Sequence, residues 1–144
     1  MLPNRWAGAW AALTAAFALH VLDEATHDFL AWYNPIASAI RDDLGEPWFP
    51  PVFSFPVWIG GLCTAILLLA ALTPALRQRR RWLIAAAYVY AGIHVLNGLG
   101  HLAVSINGRF VAPGALSSPV LLAAAAWLLV ETKRVHQERN IQIT

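Results

Sequence analysis

HVLDEATHD, residues 20–28, and HVLNGLGH, residues 94–101, decide how this chain is read. Each lies within a run of apolar residues suited to lipid, and each carries polar side chains at helical spacing. At 100° per residue, His20, Glu24 and His27 fall within an arc of roughly 60°, and so do His94, Asn97 and His101. An ionisable group at bilayer depth costs about 2.5–3.5 kcal/mol on insertion scales, so it faces a partner or a cavity rather than lipid. Two such faces in one chain predict a polar site shared by two helices.

The composition around these segments agrees. Hydrophobic residues make up 58% of the 144 and charged residues 12%, with a mean hydropathy of +0.54. A soluble domain carries about 25% charged residues. The expected fold is therefore all-α, an integral membrane four-helix bundle forming one domain over residues 1–144. Four apolar stretches near 6–32, 56–76, 82–104 and 115–133 approach the length needed to span a bilayer. The bilayer is the expected partner; a net charge of +2 points to no nucleic acid. The single Cys63 rules out a disulfide framework within the chain and reads as a small core residue.

Charge sets the expected topology. The link between the second and third stretches holds Arg77, Arg79, Arg80 and Arg81, which places it in the cytoplasm with both termini, N-in/C-in. Arg41 and Arg109 then lie outside. The long outer loop, Tyr33–Phe55, begins at Asn34-Pro35, which is expected to end the first helix. A short interfacial helix is expected at Ile36–Leu44, followed by the proline-rich turn Glu46–Pro51. This segment is either a lid or a plain connector. A competing reading takes the N-terminus as a signal peptide, with Arg5 as its charged region and Ala16 and Ala18 near the cleavage point.

In that topology the first and third stretches run parallel. His20 lies 14 residues beyond Trp6, and His94 lies 12 beyond Trp82. At 1.5 Å per residue these reach about 21 Å and 18 Å from the inner aromatic belt. The expectation is that His20 meets His94, that His27 meets His101, and that the site opens outward. Imidazoles with a carboxylate suit a divalent metal, zinc first and iron second. The expected metal ligands are His20, Glu24, His27, His94 and His101. Glu24 is either a ligand or the base that takes a proton from metal-bound water, with Asp23 and Asn97 orienting imidazoles or substrate. Haem is disfavoured by Glu24 beside its axial positions. Ser105, Ser117 and Ser118 lack a nucleophile elbow. The leading functional expectation is a membrane-embedded, metal-dependent enzyme, a hydrolase or acid–base catalyst acting on a lipid-like or small apolar substrate. The alternative is a non-catalytic binding or transport-accessory module whose polar residues bind a small ligand or ion, or pair structurally.

The stretch His20-Val21-Leu22-Asp23-Glu24 resembles the signature of the HXXEE family of small bacterial membrane proteins, with Asp23 in place of the first Glu. Asn97 and His101 in a later helix, and the turn formed by Phe110, Pro113 and Gly114, are similar as well. The resemblance implies a multi-helix membrane fold and a place in the bacterial inner membrane. It implies no particular reaction.

Overall fold

The computed structural model describes residues 5–78 and 80–141. Arg79, within the basic link, lies outside the described residues. Five α-helices and one 3₁₀ segment follow in order: α1 (Arg5–Thr26), α2 (Phe29–Leu44), α3 (Phe55–Leu72), the 3₁₀ segment Thr73–Gln78, α4 (Arg81–Gly108) and α5 (Ser118–Ile141). Among the described residues there is no strand. Two spans, Phe55–Gln78 and Arg81–Gly108, are long and apolar enough to cross a membrane.

α1, α4 and α5 form the core, with α5 packed along both of the others and α1 touching α4 more sparsely. Fully buried alanines at the crossings (Ala9, Ala87, Ala91 and Ala125) let the backbones approach closely. The buried stripe of α1 starts apolar with Trp6, Trp10 and Leu13 and ends polar with His20 and Glu24. On α4 the stripe runs from Leu83, Ala87 and Tyr90 to His94 and His101. One end of the bundle is thus an ordinary apolar core, and the other is a polar cluster. The opposite faces carry exposed apolar side chains, among them Leu22, Leu96, Leu99 and Val120.

α3 stands at the edge, with Trp58 its one buried residue. It is tied to α1 by Trp10 Nε1, which donates to the Leu69 carbonyl at 2.8 Å. Pro74 has no N–H to continue the α ladder, and the chain tightens there into 3₁₀. Cys63, expected in the core, is exposed on this helix.

The helix limits differ from the sequence expectation at both ends of the first loop. The first helix ends at Thr26, not near residue 32. The break falls at Asp28, which adopts the left-handed conformation (φ 52°), one that aspartate tolerates better than most residues. Asn34-Pro35 does not end a helix. Pro35 lies inside α2, so the short helix expected at Ile36–Leu44 begins earlier, at Phe29, and ends where expected, at Leu44. Gly45, also left-handed, closes α2 with its N–H on the Arg41 carbonyl. Beyond it the proline-rich turn is held down by side chains: Asn34 bonds both the carbonyl and the N–H of Phe53 at 2.9 and 3.1 Å, and Arg41 Nε reaches the Pro50 carbonyl at 2.6 Å. α4 runs a turn past residue 104, to Gly108, and α5 covers Ser118–Ile141 rather than 115–133.

Candidate functional site

The polar cluster is built from α1, α4 and the turn that opens α5. The i, i+4 spacing of His20 and Glu24 stacks them on the inner face of α1. Asn97 and His101 do the same on α4. Each imidazole presents Nε2 to the same space. Glu24 Oε1 lies 3.1 Å from His101 Nε2 and 3.6 Å from His20 Nε2. Asn97 spans the pair, with Nδ2 3.0 Å from His20 Nε2 and Oδ1 3.1 Å from His101 Nε2. One ligand atom from each of His20, Glu24 and His101 lies within 4.8 Å of the others, and all three residues are buried.

The far side of His20 fixes its proton. Ser117, at the start of α5, donates its hydroxyl to Asp23 Oδ2 at 2.7 Å, a better acceptor than the Gly114 carbonyl at 3.1 Å. The Ser117 oxygen is then left to accept from His20 Nδ1–H at 2.8 Å. Nε2 of His20 therefore carries a lone pair, the form that accepts from the Asn97 amide or binds a metal. Asp23 also accepts the Ser117 backbone N–H at 2.8 Å. The two acids of the α1 motif have separate duties: Asp23 anchors α5 and orients His20 through Ser117, while Glu24 enters the cluster.

Gly114 allows the turn to come this close. Its φ is +84°, and a Cβ there would stand 2.8 Å from His20 Cε1 and 3.0 Å from both Cε1 and Nδ1 of His101. Its carbonyl accepts from the N–H and hydroxyl of Ser118 at 3.1 and 2.8 Å. Aromatic rings cover the cluster on the side of α2: Phe29 of α2 lies 5.9 Å from the His101 ring and stacks on Trp58 of α3 at 5.7 Å. Every fully buried side-chain nitrogen or oxygen among the described residues has a hydrogen-bond partner.

Two of the five expected ligands stand apart. His27 is exposed, its Nδ1 bonded to the Asp23 carbonyl at 2.9 Å and 3.0 Å from Asp23 Oδ1. His94 is buried one turn deeper, with Nδ1 2.8 Å from the Tyr90 carbonyl and its ring edge-on to Phe17 at 4.6 Å. His20 thus meets Asn97 and His101 instead of His94; the His20 and His101 ring centroids are 4.9 Å apart. The offset between α1 and α4 is 77 residues at His20–Asn97 and 76 at Thr14–Tyr90. Pairing His20 with His94 would need 74. Trp6 and Trp82 are themselves 76 apart, so aligning the tryptophans rather than the two HVL runs gives the observed register.

Ser117 and Gly114 were not expected in the site. The serine lies far from any acid or histidine in sequence. The one signal was the Pro113-Gly114 turn just before it, since a glycine with positive φ often marks a close backbone approach.

Comparison with curated proteins and with solved structures gives no match. Residues 10–128 match a family described as proteins of unknown function with an HXXEE motif. In this chain the motif reads His20-Val21-Leu22-Asp23-Glu24, with the shorter acid at the position that bonds Ser117, and the match takes in most of α1, all of α2, α3 and α4, and the start of α5 as far as residue 128. The chain belongs to the HXXEE family.

Proposed function

We propose that this protein is an integral membrane enzyme whose His20, Glu24 and His101 bind a divalent metal, zinc before iron, for hydrolytic or acid–base chemistry on a lipid-like substrate. The observation that carries this reading is the convergence of two imidazoles and one carboxylate at a buried point. Tetrahedral bonds of about 2.0–2.1 Å separate ligand atoms by roughly 3.3 Å. The 3.1 and 3.6 Å separations from Glu24 Oε1 bracket that value, and the two imidazoles, within 4.8 Å of each other, would draw together around a bound ion. Two histidines, one glutamate and an open position form a ligand set used by catalytic zinc, which lowers the pKa of bound water to about 7. Asp23 and Ser117 hold the His20 tautomer that ligation needs. A second reading, a metal-free binding or transport-accessory module, is favoured by the complete hydrogen bonding of the cluster.

Metal content separates the two. Purified protein dialysed against zinc should hold about one equivalent per chain, and no retained metal would overturn the enzyme reading. Incubating zinc-loaded protein with lipid pools, read by mass spectrometry, then distinguishes an enzyme from a metal-binding module.

In this reading α1, α3, α4 and α5 span the membrane, α2 lies at the outer surface, and both termini with the basic link are cytoplasmic. Support comes from the arginines of the link and from the exposed apolar side chains on the outward helix faces. In a Cys63→Ser background, cysteines at Asp42 and Gln78 should label from opposite sides of intact cells. Labelling of both from one side would refute this topology.

Access to the cluster runs through a cavity of about 240 Å³ between α2 and α4, lined by Phe29, Trp32, Leu96, Asn97, Gly100 and His101 among others. A Cβ at Gly100 meets open space. Gly100→Leu should therefore fold as well as wild type and slow the removal of zinc by a chelator severalfold. An unchanged rate would show that ligands reach the cluster by another route.

A further inference from the structure

At the opposite end of the bundle, α4 and α5 enclose a second cavity of about 480 Å³ lined by Arg81, Ile84, Ala85, Tyr88, His136, Arg139 and Asn140. None of these residues belongs to the polar cluster. Tyr88 and His136 meet edge-on with ring centroids 6.2 Å apart. Two guanidiniums, an imidazole, a phenol and an amide thus line one hollow. Arginine forks match the paired oxygens of a phosphate better than any other side chain.

The surroundings say what carries the phosphate. Ala85, in the wall of the hollow, begins a ridge at i, i+4 spacing that continues along α4 through Val89 and Ile93, both more than half exposed. Trp82, also half exposed, lies one residue beyond Arg81 at the mouth. An anionic pocket ligand with an apolar tail would lay that tail on the ridge. Basic pockets between helices at the cytoplasmic face hold lipid headgroups in this way.

We propose that the Arg81–Tyr88–His136–Arg139 hollow binds the phosphate of an anionic phospholipid. The proposal rests on the membrane placement above and not on the metal. Placement is checked separately by alkaline extraction, in which a spanning protein stays with the membrane whether or not the hollow binds lipid.

The test is native mass spectrometry of the detergent-purified chain titrated with phosphatidylglycerol. A one-to-one adduct is expected. Diacylglycerol, with the same chains and no phosphate, should give none. Each arginine near such a surface contributes about 1 kcal/mol, or about fivefold in affinity. Arg81→Gln and Arg139→Gln should each weaken the adduct by about that factor, whereas Arg109→Gln, away from the hollow, should not. Gel filtration and circular dichroism confirm that the variants fold. Equal binding of diacylglycerol, or unchanged binding by both variants, would overturn the proposal. Displacement of the lipid by millimolar inorganic phosphate would assign the hollow to a soluble phosphate compound and overturn the lipid assignment.

Discussion

Replacing His101 with alanine should lower zinc affinity by more than about 100-fold, because residues that merely orient a ligand are themselves worth about 10–100-fold. His101 supplies one of the three converging donors, and Glu24 Oε1 sits 3.1 Å from its Nε2. Ser117→Ala should fall within that smaller range, since it removes only the link between Asp23 and His20 Nδ1. Glu24→Gln keeps the shape of the side chain and removes its charge. If Glu24 is a ligand, affinity falls with it. If it acts only as a base, affinity holds while turnover drops by about 10²–10⁴. His27→Ala should leave zinc binding unchanged, because its exposed ring bonds Asp23 rather than the cluster. Competition with a chromophoric chelator reads every variant on one scale. Equal affinity for wild type, His101→Ala and Glu24→Gln would mean that the cluster is a structural hydrogen-bond network.

Gly114→Ala is expected to be the most damaging small substitution in the chain. An L-residue in the left-handed region costs about 1–2 kcal/mol, and forcing extra volume into a packed site costs about 1–3 kcal/mol more. The new methyl would stand 2.8 Å from His20 and 3.0 Å from His101, two fully or nearly buried rings with little room to retreat. Gly92→Ala is the control, since a Cβ there meets nothing within 4 Å and removes a glycine from a helix interior. Thermal unfolding in detergent should show a large loss for the first and none for the second. Equal stability would mean that the turn does not press on the histidines.

The sequence carried the helical class and the polar faces because both rest on local spacing. His20 and Glu24 share a face at any depth, and so do Asn97 and His101. The register between α1 and α4 was harder to read. Repetition of HVL invited pairing of His20 with His94, whereas packing follows the ring and alanine contacts along the whole interface, which place Phe17 against His94. Asp28 hid the first break because no glycine or proline marks it. Pro35 drew attention to a boundary that does not exist, seven residues downstream. Ser117 could not be placed from sequence at all, since its role depends on the start of α5 returning to the end of α1, 94 positions along the chain from Asp23.

The position of α5 between α1 and α4 also sets the order in which the protein can become functional. His20 is 97 residues upstream of the serine that fixes its proton. At about 5–20 residues per second, His20 is made roughly 5–20 s before Ser117. Throughout that interval His20 and Asp23 lack Ser117, the residue that joins them. A stop codon before residue 117 would remove the partner of Asp23, and with it the element that holds the polar ends of α1 and α4 together.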